Sequence, residues 1–328
     1  MSKVYNRIFT EKKWQEVNKY NKNLMEDFLL ELKSQKKKKG TIDQYKNDLR
    51  ILFIYILEEL DNKPIHKLKK RNFRDYSLWL QDKNMSSARV NRLLSALRSM
   101  LTFAEDDDEY GEDIEINYAA KVKGLTKEKA RDIHFLNMNE VMVIYNTLKE
   151  KKKYQQALLC ALLIDSAGRR QEVYQVLKNS ITKEANFTNE VIGKRGKKFR
   201  LFYNDLTLEA YDLYMKDRGE DDIDSLWITK QDGVIKKASY ESLYSWVVSW
   251  RKILKDELNI DKDFNPHSFR HSSLELLNTG EHYIAKKLNK KFSLQELKVY
   301  AHHESVDTTS NYLINKDEEM LLEAFGIS

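Results

Sequence analysis

Four short runs of this chain hold side chains that could do covalent chemistry together. His267-Ser268-Phe269-Arg270-His271 places two basic groups three residues apart, which a helix would turn to one face. Farther on, His302-His303 is followed, nine residues beyond His303, by Tyr312. A phenol can act as a covalent nucleophile, and a basic cluster beside it suits an anionic phosphate as the electrophile. His267 and His271 at i,i+4 would also suit a metal, but the zinc-protease pattern needs glutamate after the first histidine, and Ser268 stands there. Upstream lie Arg169, in Ser166-Ala167-Gly168-Arg169-Arg170-Gln171-Glu172, and Lys194, in Gly193-Lys194-Arg195-Gly196-Lys197. Taken singly each is weak: Tyr312 is one of 18 tyrosines, and Arg169 and Lys194 also read as solvent-facing cations.

The elements that must position these groups come from a chain of 328 residues, long enough for two cores. A third of it is charged, with 57 Lys and Arg against 51 Asp and Glu and a pI near 8.9. That balance suits a soluble protein that meets a polyanion such as nucleic acid. The single cysteine, Cys160, sits in an apolar run and reads as a small core residue. One cysteine leaves no intrachain disulfide and no cysteine-based zinc site, and fits a reducing, cytoplasmic setting. No run approaches transmembrane length, and no signal-peptide pattern opens the chain. Two prolines, Pro64 and Pro266, and ten glycines predict a mainly helical fold.

Apolar spacing predicts four helices in the first domain. One carries Leu24, Phe28, Leu29 and Leu32 and ends at Lys36-Lys37-Lys38-Lys39-Gly40, with Gly40 as the stop. Thr41 should cap the second, with Tyr45, Leu49, Leu52 and Ile56 on its stripe. The third carries Phe73, Tyr76 and Leu80, and the fourth, opened by Ser86 or Ser87, runs through Val90, Leu94, Leu97 and Leu101. Residues 1–104 hold 23 Lys and Arg against 12 Asp and Glu, a net +11. Glu105-Asp106-Asp107-Asp108-Glu109 and Gly111 then read as the start of a linker. The division expected is therefore 1–106, a linker 107–133, and a second domain 134–328.

In that second domain Asn137 or Asn139 should cap a helix, and Tyr154–Asp165, apolar nearly all round, should be central. Gly168 would permit the tight turn before Arg169. Phe187–Tyr203 reads as a β-hairpin with a basic tip, Leu226-Trp227-Ile228 as a short strand, and Ser239–Leu258 as helix.

At its chemical residues the chain resembles the tyrosine recombinase (phage integrase) family over nearly its whole length. The family's Thr-Gly-Leu-Arg-x-x-Glu turn falls at Ser166–Glu172, which selects Arg169 over Arg170. Its Gly-Lys-Gly-x-Lys-x-Arg hairpin falls at Gly193–Arg200 with one extra residue, making Lys194 the choice for the catalytic lysine and Lys197 the alternative. His-x-x-Arg-His is met by His267, Arg270 and His271. In Leu-Gly-His the glycine becomes His302, and only His303 gives the nine-residue spacing to Tyr312. Thr41 to Arg50 and Leu94 to Ser99 look like the family's DNA-clamping helices, and Asn117-Tyr118-Ala119 takes the place of Asn-Pro-Ala.

The resemblance implies a four-helix core-binding domain and a mixed α/β catalytic domain closing as a C-shaped clamp on duplex DNA. It implies Tyr312 as nucleophile, giving a 3′-phosphotyrosyl bond and a free 5′-hydroxyl. Arg169, Arg270 and His303 would hold the phosphate oxygens, His267 would assist the phenol, whose ordinary pKa is about 10, and Lys194 would protonate the leaving oxygen. His271 reads equally as a packing residue. Backbone phosphates would be gripped by Lys36, Lys37, Lys38, Lys39, Thr41, Tyr45, Arg89, Arg92, Arg98 and Lys197. No metal or ATP is required, because the covalent bond conserves the energy of the broken phosphodiester. Partners would be a specific double-stranded site, three further copies in a homotetramer, and accessory DNA-bending proteins. An apolar terminal helix at about 314–328, with Met320, Leu321, Leu322, Ala324 and Phe325, would link the copies. Integration or excision of a mobile element and resolution of DNA multimers are the roles implied. The rival readings are a relaxing enzyme of type IB topoisomerase kind and a DNA-binding regulator that no longer cuts.

Overall fold

The computed structural model of the protein describes residues 7–126, 134–310 and 312–313. The chain divides into two compact units, Met1–Asp132 and Ile133–Ser328. It is mostly helical, with two small antiparallel sheets of two strands each. Among the described residues no helix is long and apolar enough to cross a membrane.

The first unit is built from α1 (Glu11–Glu16), α2 (Lys19–Ser34), α3 (Lys39–Glu59), α4 (Lys70–Asp82) and α5 (Ser87–Asp106). Their apolar stripes meet in one core around Leu24, Phe28, Phe53, Phe73, Tyr76 and Leu97, each at most 3 % exposed. Burying each such side chain stabilises the fold by about 1.5–3 kcal/mol. The helix boundary near residue 40 differs from expectation. Gly40 and Thr41 lie inside the first turn of α3, so Thr41 caps nothing. It is Lys36 that stops α2, in the left-handed conformation (φ 56°). Lys37 N–H on Leu32 O (3.1 Å) and Lys36 N–H on Lys33 O (2.9 Å) satisfy the last carbonyls there. The stretch read as a linker is also corrected. Tyr110, Ile114, Ala119 and Val122 are buried in the first core, and Tyr110 Oη donates to Asp27 Oδ2 at 2.6 Å. Its acidic composition marks a solvated edge around a packed segment, at least as far as the described residues run.

The second unit is organised on α7 (Tyr154–Ser166), whose residues 157–166 are all buried. Around it lie α6 (Met138–Glu150), α9 (Asp205–Arg218), α10 (Tyr240–Ser249), α11 (Arg251–Leu258) and α12 (Pro266–Thr279). Asn137, not Asn139, caps α6 in a reciprocal pair with Glu140. The α7 carboxylate of Asp165 accepts from Tyr283 Oη (2.6 Å) and Thr207 Oγ1 (2.7 Å), pinning α9 and the chain after α12 to the central helix. The expected hairpin is β1 (Phe187–Ile192) against β2 (Lys198–Phe202), with Val191 opposite Phe199. A second hairpin, β3 (Ile228–Gln231) and β4 (Val234–Lys237), takes up part of the single strand expected at 226–228. Three further short helices finish the unit: α13 (Tyr283–Leu288), α14 (Leu294–Tyr300) and α15 (Val306–Ser310). The terminal helix expected at 314–328 lies outside the described residues.

Candidate active site

The pocket begins where α7 ends. Ala167 takes the left-handed turn (φ 46°), so Gly168 is not needed for its torsion. It is needed for space: a Cβ there would stand 2.9 Å from both Ser166 Oγ and Val173 Cγ2. This close turn delivers Arg169 to the start of α8 (Arg170–Val173). Glu172, 1 % exposed, accepts from Arg169 N–H at 2.8 Å and from Arg169 Nη1 at 3.0 Å.

Asn265 opens α12 by accepting His267 N–H at 2.8 Å, and Pro266 fits the first turn, where no N–H is required. The helix carries His267, Arg270 and His271 toward the same pocket. Arg270 is 1 % exposed. Its Nη1 donates to Ala167 O and its Nη2 to Ala301 O, each at 2.6 Å. Its Nη1 also lies 4.0 Å from Glu172. Burial and then the neighbouring Arg169 charge pull Arg270 down to about 10, which leaves it a cation at neutral pH. Its Nε is buried without a hydrogen-bond partner among the described residues. An unpaired buried donor on a cation costs free energy, and an anion is the group that would satisfy it.

Helix α14 closes with His303 N–H on Lys298 O (3.0 Å) and His302 N–H on Val299 O (3.1 Å). That pairing puts His302 in the left-handed region (φ 54°), the position where glycine is favoured. His303, 5 % exposed, meets Arg270 Nη2 through Nε2 at 2.6 Å and Thr309 Oγ1 through Nδ1 at 2.9 Å. A guanidinium can only donate, so Nε2 accepts and Nδ1 carries the proton. Burial, then the charges of Arg270 and Arg169, hold His303 down to about 3. It is neutral at physiological pH.

Tyr312 completes the pocket. Its ring stacks on His271 at 4.3 Å and 26° and lies 4.9 Å from His303 and 5.3 Å from His267. The Arg270 guanidinium carbon is 5.2 Å from the ring centre. Its phenol interacts by charge and hydrogen bonding with both Arg169 and Arg270. His271 Nδ1 donates to Tyr312 O at 3.2 Å. His271, which the sequence left between packing and chemistry, thus holds the Tyr312 backbone and one face of its ring. His267 has an exposed edge, yet desolvation among these rings, then the charges of His271, Arg270 and Arg169, lower it to about 4.

Arg169, Arg270, His267, His303 and Tyr312 are therefore brought together. Lys194 is not: it is exposed at the β1–β2 turn, and its ammonium makes no hydrogen bond or ion pair with a described residue. Reversal of the chain at Arg195 (φ 60°) and Gly196 (φ 81°) brings Lys197 to the pocket instead, its Nζ 3.3 Å from His302 O. Glu172 is the member whose role sequence reasoning missed, though its place four residues into the Gly168 turn was a signal. Among the described residues no group of side chains could hold a metal ion.

In the first unit Lys36, Lys37, Lys38, Lys39 and Thr41 are exposed. Tyr45 packs edge-on against Phe28 at 5.5 Å. Arg92 pairs with buried Asp48 at 2.9 Å, and Arg89 Nε is buried without a partner among the described residues. Arg98 is committed internally, donating to Ala119 O (3.3 Å) and Val122 O (2.7 Å). Those bonds explain its burial without a phosphate.

Fold and pocket together define a tyrosine-type DNA strand transferase. Residues 25–107 match the model of the phage integrase N-terminal SAM-like domain. Similar proteins include the SPbeta prophage-derived recombinase-like protein YomM of Bacillus subtilis (strain 168), 26 % identical over 322 residues, 94 % of this chain and 92 % of that one. The tyrosine recombinase XerC of Treponema denticola is 25 % identical over 302 residues, 84 % of this chain and 88 % of that one. A lambda integrase dimer solved on a COC′ core site shares the fold, with a TM-score of 0.66 at 17 % identity over 88 % of this chain and 76 % of that one. Residues 134–319, more than half of the chain, match the phage integrase family model, and the chain belongs to that family.

Proposed function

We propose that this recombinase cuts and rejoins the strands of a specific DNA duplex through a 3′-phosphotyrosyl intermediate, without metal or ATP. The observation that carries the reading is the phenol of Tyr312 set against two guanidinium groups, one with a buried Nε that has no partner among the described residues. A phosphate entering there would satisfy that donor and place phosphorus beside the phenol. Preorganised cations of this kind stabilise the extra charge of a pentavalent phosphorus. Arg169 and Arg270 hold the non-bridging oxygens, and Glu172 keeps the two cations in place.

His267 receives the phenolic proton; it is neutral at pH 7, as a base must be, and an arriving anion raises its affinity for that proton. His303 donates to a phosphate oxygen once the phosphate has taken Arg270 from its Nε2. The Thr309 hydroxyl can accept from or donate to Nδ1, so the ring can carry its proton on either nitrogen. Lys197, rather than Lys194, protonates the departing 5′-oxygen. Rejoining is the same reaction reversed with a different 5′-hydroxyl, and four copies on two duplexes would make the exchange reciprocal. The biological setting proposed is integration or excision of a mobile element or resolution of DNA multimers. The exposed lysines of the first unit supply the grip on duplex DNA.

The test is a pool of nicked duplexes with a randomised core, incubated with the protein and selected for covalent protein–DNA adducts. An adduct that disappears in Tyr312→Phe, with DNA binding retained, is expected, and sequencing the trapped DNA gives the site. Binding without any adduct would replace this reading by that of a regulator which no longer cuts.

A further inference from the structure

His302 occupies a position where glycine would be unstrained, since its φ of 54° sets Cβ against the following carbonyl. Its side chain makes contacts that glycine could not. The imidazole stacks on Phe199 with ring centres 3.9 Å apart and planes at 24°, and it is hydrogen-bonded to the backbone of Arg200. Both residues lie on β2, immediately after the turn that carries Lys197. Phe199 is itself fixed against that turn, for a Cβ on Gly193 would lie 2.6 Å from its ring. Two further ties join the same turn to the same loop. Lys197 Nζ donates to His302 O at 3.3 Å, and Arg195 Nη1 pairs with Glu304 at 2.6 Å.

We infer that His302 is a positioning residue, which through Phe199 fixes the β1–β2 turn so that the Lys197 ammonium stands at the edge of the pocket beside His303. Lys194, Arg195, Gly196 and Lys197 are all exposed, so the turn has little core of its own to hold it. An ammonium on a flexible four-carbon stem delivers its proton well only when its base is held still. The inference rests on Lys197 as the general acid. In that step the bond from Tyr312 Oη to phosphorus forms and the bond from phosphorus to O5′ breaks. O5′ takes a proton from Lys197, leaving a 5′-hydroxyl and a neutral amine.

The experiment compares wild type, His302→Gly, His302→Asn and Lys197→Ala on the duplex recovered from the adduct selection. The duplex is made once with oxygen and once with sulfur at the 5′-bridging position. A thiol has a pKa of about 8.5, so a thiolate departs without a proton where an alkoxide does not. Glycine relieves the backbone and asparagine tolerates it, so both variants are expected to fold and bind DNA as wild type does. Neither can stack on Phe199. Both are expected to cleave the oxygen duplex slower by roughly ten- to a hundred-fold, part of the 10²–10⁴ that a placed proton donor contributes. On the sulfur duplex both should recover the wild-type rate. Equal slowing on both duplexes overturns the inference, because His302 then acts on the pocket as a whole. No slowing on either overturns it as well. Lys197→Ala tests the underlying assignment separately: if sulfur fails to rescue it, Lys197 is not the acid and the role given to His302 falls with it.

Discussion

Replacing Glu172 by glutamine removes one charge while keeping shape and an acceptor. In the native site this carboxylate is 1 % exposed, 2.8 Å from Arg169 N, 3.0 Å from Arg169 Nη1 and 4.0 Å from Arg270 Nη1. Without its charge the two guanidinium groups face each other with no phosphate present. Breaking a buried pair from one side costs about 3–5 kcal/mol. The Arg169 side chain is 29 % exposed, so water screens its share and the low end applies, about 3 kcal/mol. For a unit of this size each kcal/mol moves the melting temperature by about 2–4 °C, giving a fall of roughly 6–12 °C for Glu172→Gln. Differential scanning calorimetry at pH 7.5 reads it directly. Sulfate should restore part of the loss in the variant and do less for wild type, because an anion refills the vacated charge. A variant melting within 2 °C of wild type, or one no more responsive to sulfate, would refute the assignment of Glu172 as the group that balances the two arginines.

Arg98→Met should lower the melting temperature of the first unit, losing roughly 1–3 kcal/mol with the two carbonyl bonds. Lys37→Ala and Lys38→Ala should leave melting unchanged and each reduce the salt slope of DNA binding by about 1. Gly168→Ala forces a methyl to 2.9 Å from Val173 Cγ2 and Ser166 Oγ; overpacking of about 1–3 kcal/mol is expected in urea unfolding, together with slower adduct formation as Arg169 shifts. Acid should weaken the second unit before its carboxylates titrate. His303 (about 3), His267 and His282 (both about 4) sit below the ordinary 6.5 in the folded chain. The unfolded chain therefore binds more protons between those values, and stability falls as pH drops from 6.5 toward 4. Urea midpoints equal at pH 7.5 and 5.0 would contradict neutral burial of these rings.

Much of the helical frame was legible because single apolar stripes form it. Leu24, Phe28 and Leu32 recur at helical spacing, and the Ala157–Ile164 run admits only a buried helix. Helix α9 went unread because part of its inner face is polar. Thr207 and Arg218 are buried there on Asp165 and Asp221, partners that no periodicity reveals. The β3–β4 hairpin did leave a mark, Asp232-Gly233, but its strands are mostly exposed and lack apolar alternation. Composition misled at 107–122, where four buried apolar side chains among many acids suffice for packing. In the pocket, Arg169, Arg270, His303 and Tyr312 stood at family spacing. Spacing could not show that Lys197 rather than Lys194 lies beside His302, since that placement depends on two positive φ angles in the turn.

The contacts that build the pocket join residues far apart along the chain. Arg270 reaches Ala167 across 103 residues, Arg195 reaches Glu304 across 109, and His271 reaches Tyr312 across 41. Closing such loops comes at a cost in chain entropy that local helices do not bear. A partly folded chain carries the same arginines, histidines and tyrosine, but dispersed, with no two cations set on one phosphate. Topology thus acts as a safety catch: the pocket is assembled only in the folded second unit, and the unfolded chain has no site at which to hold a phosphate.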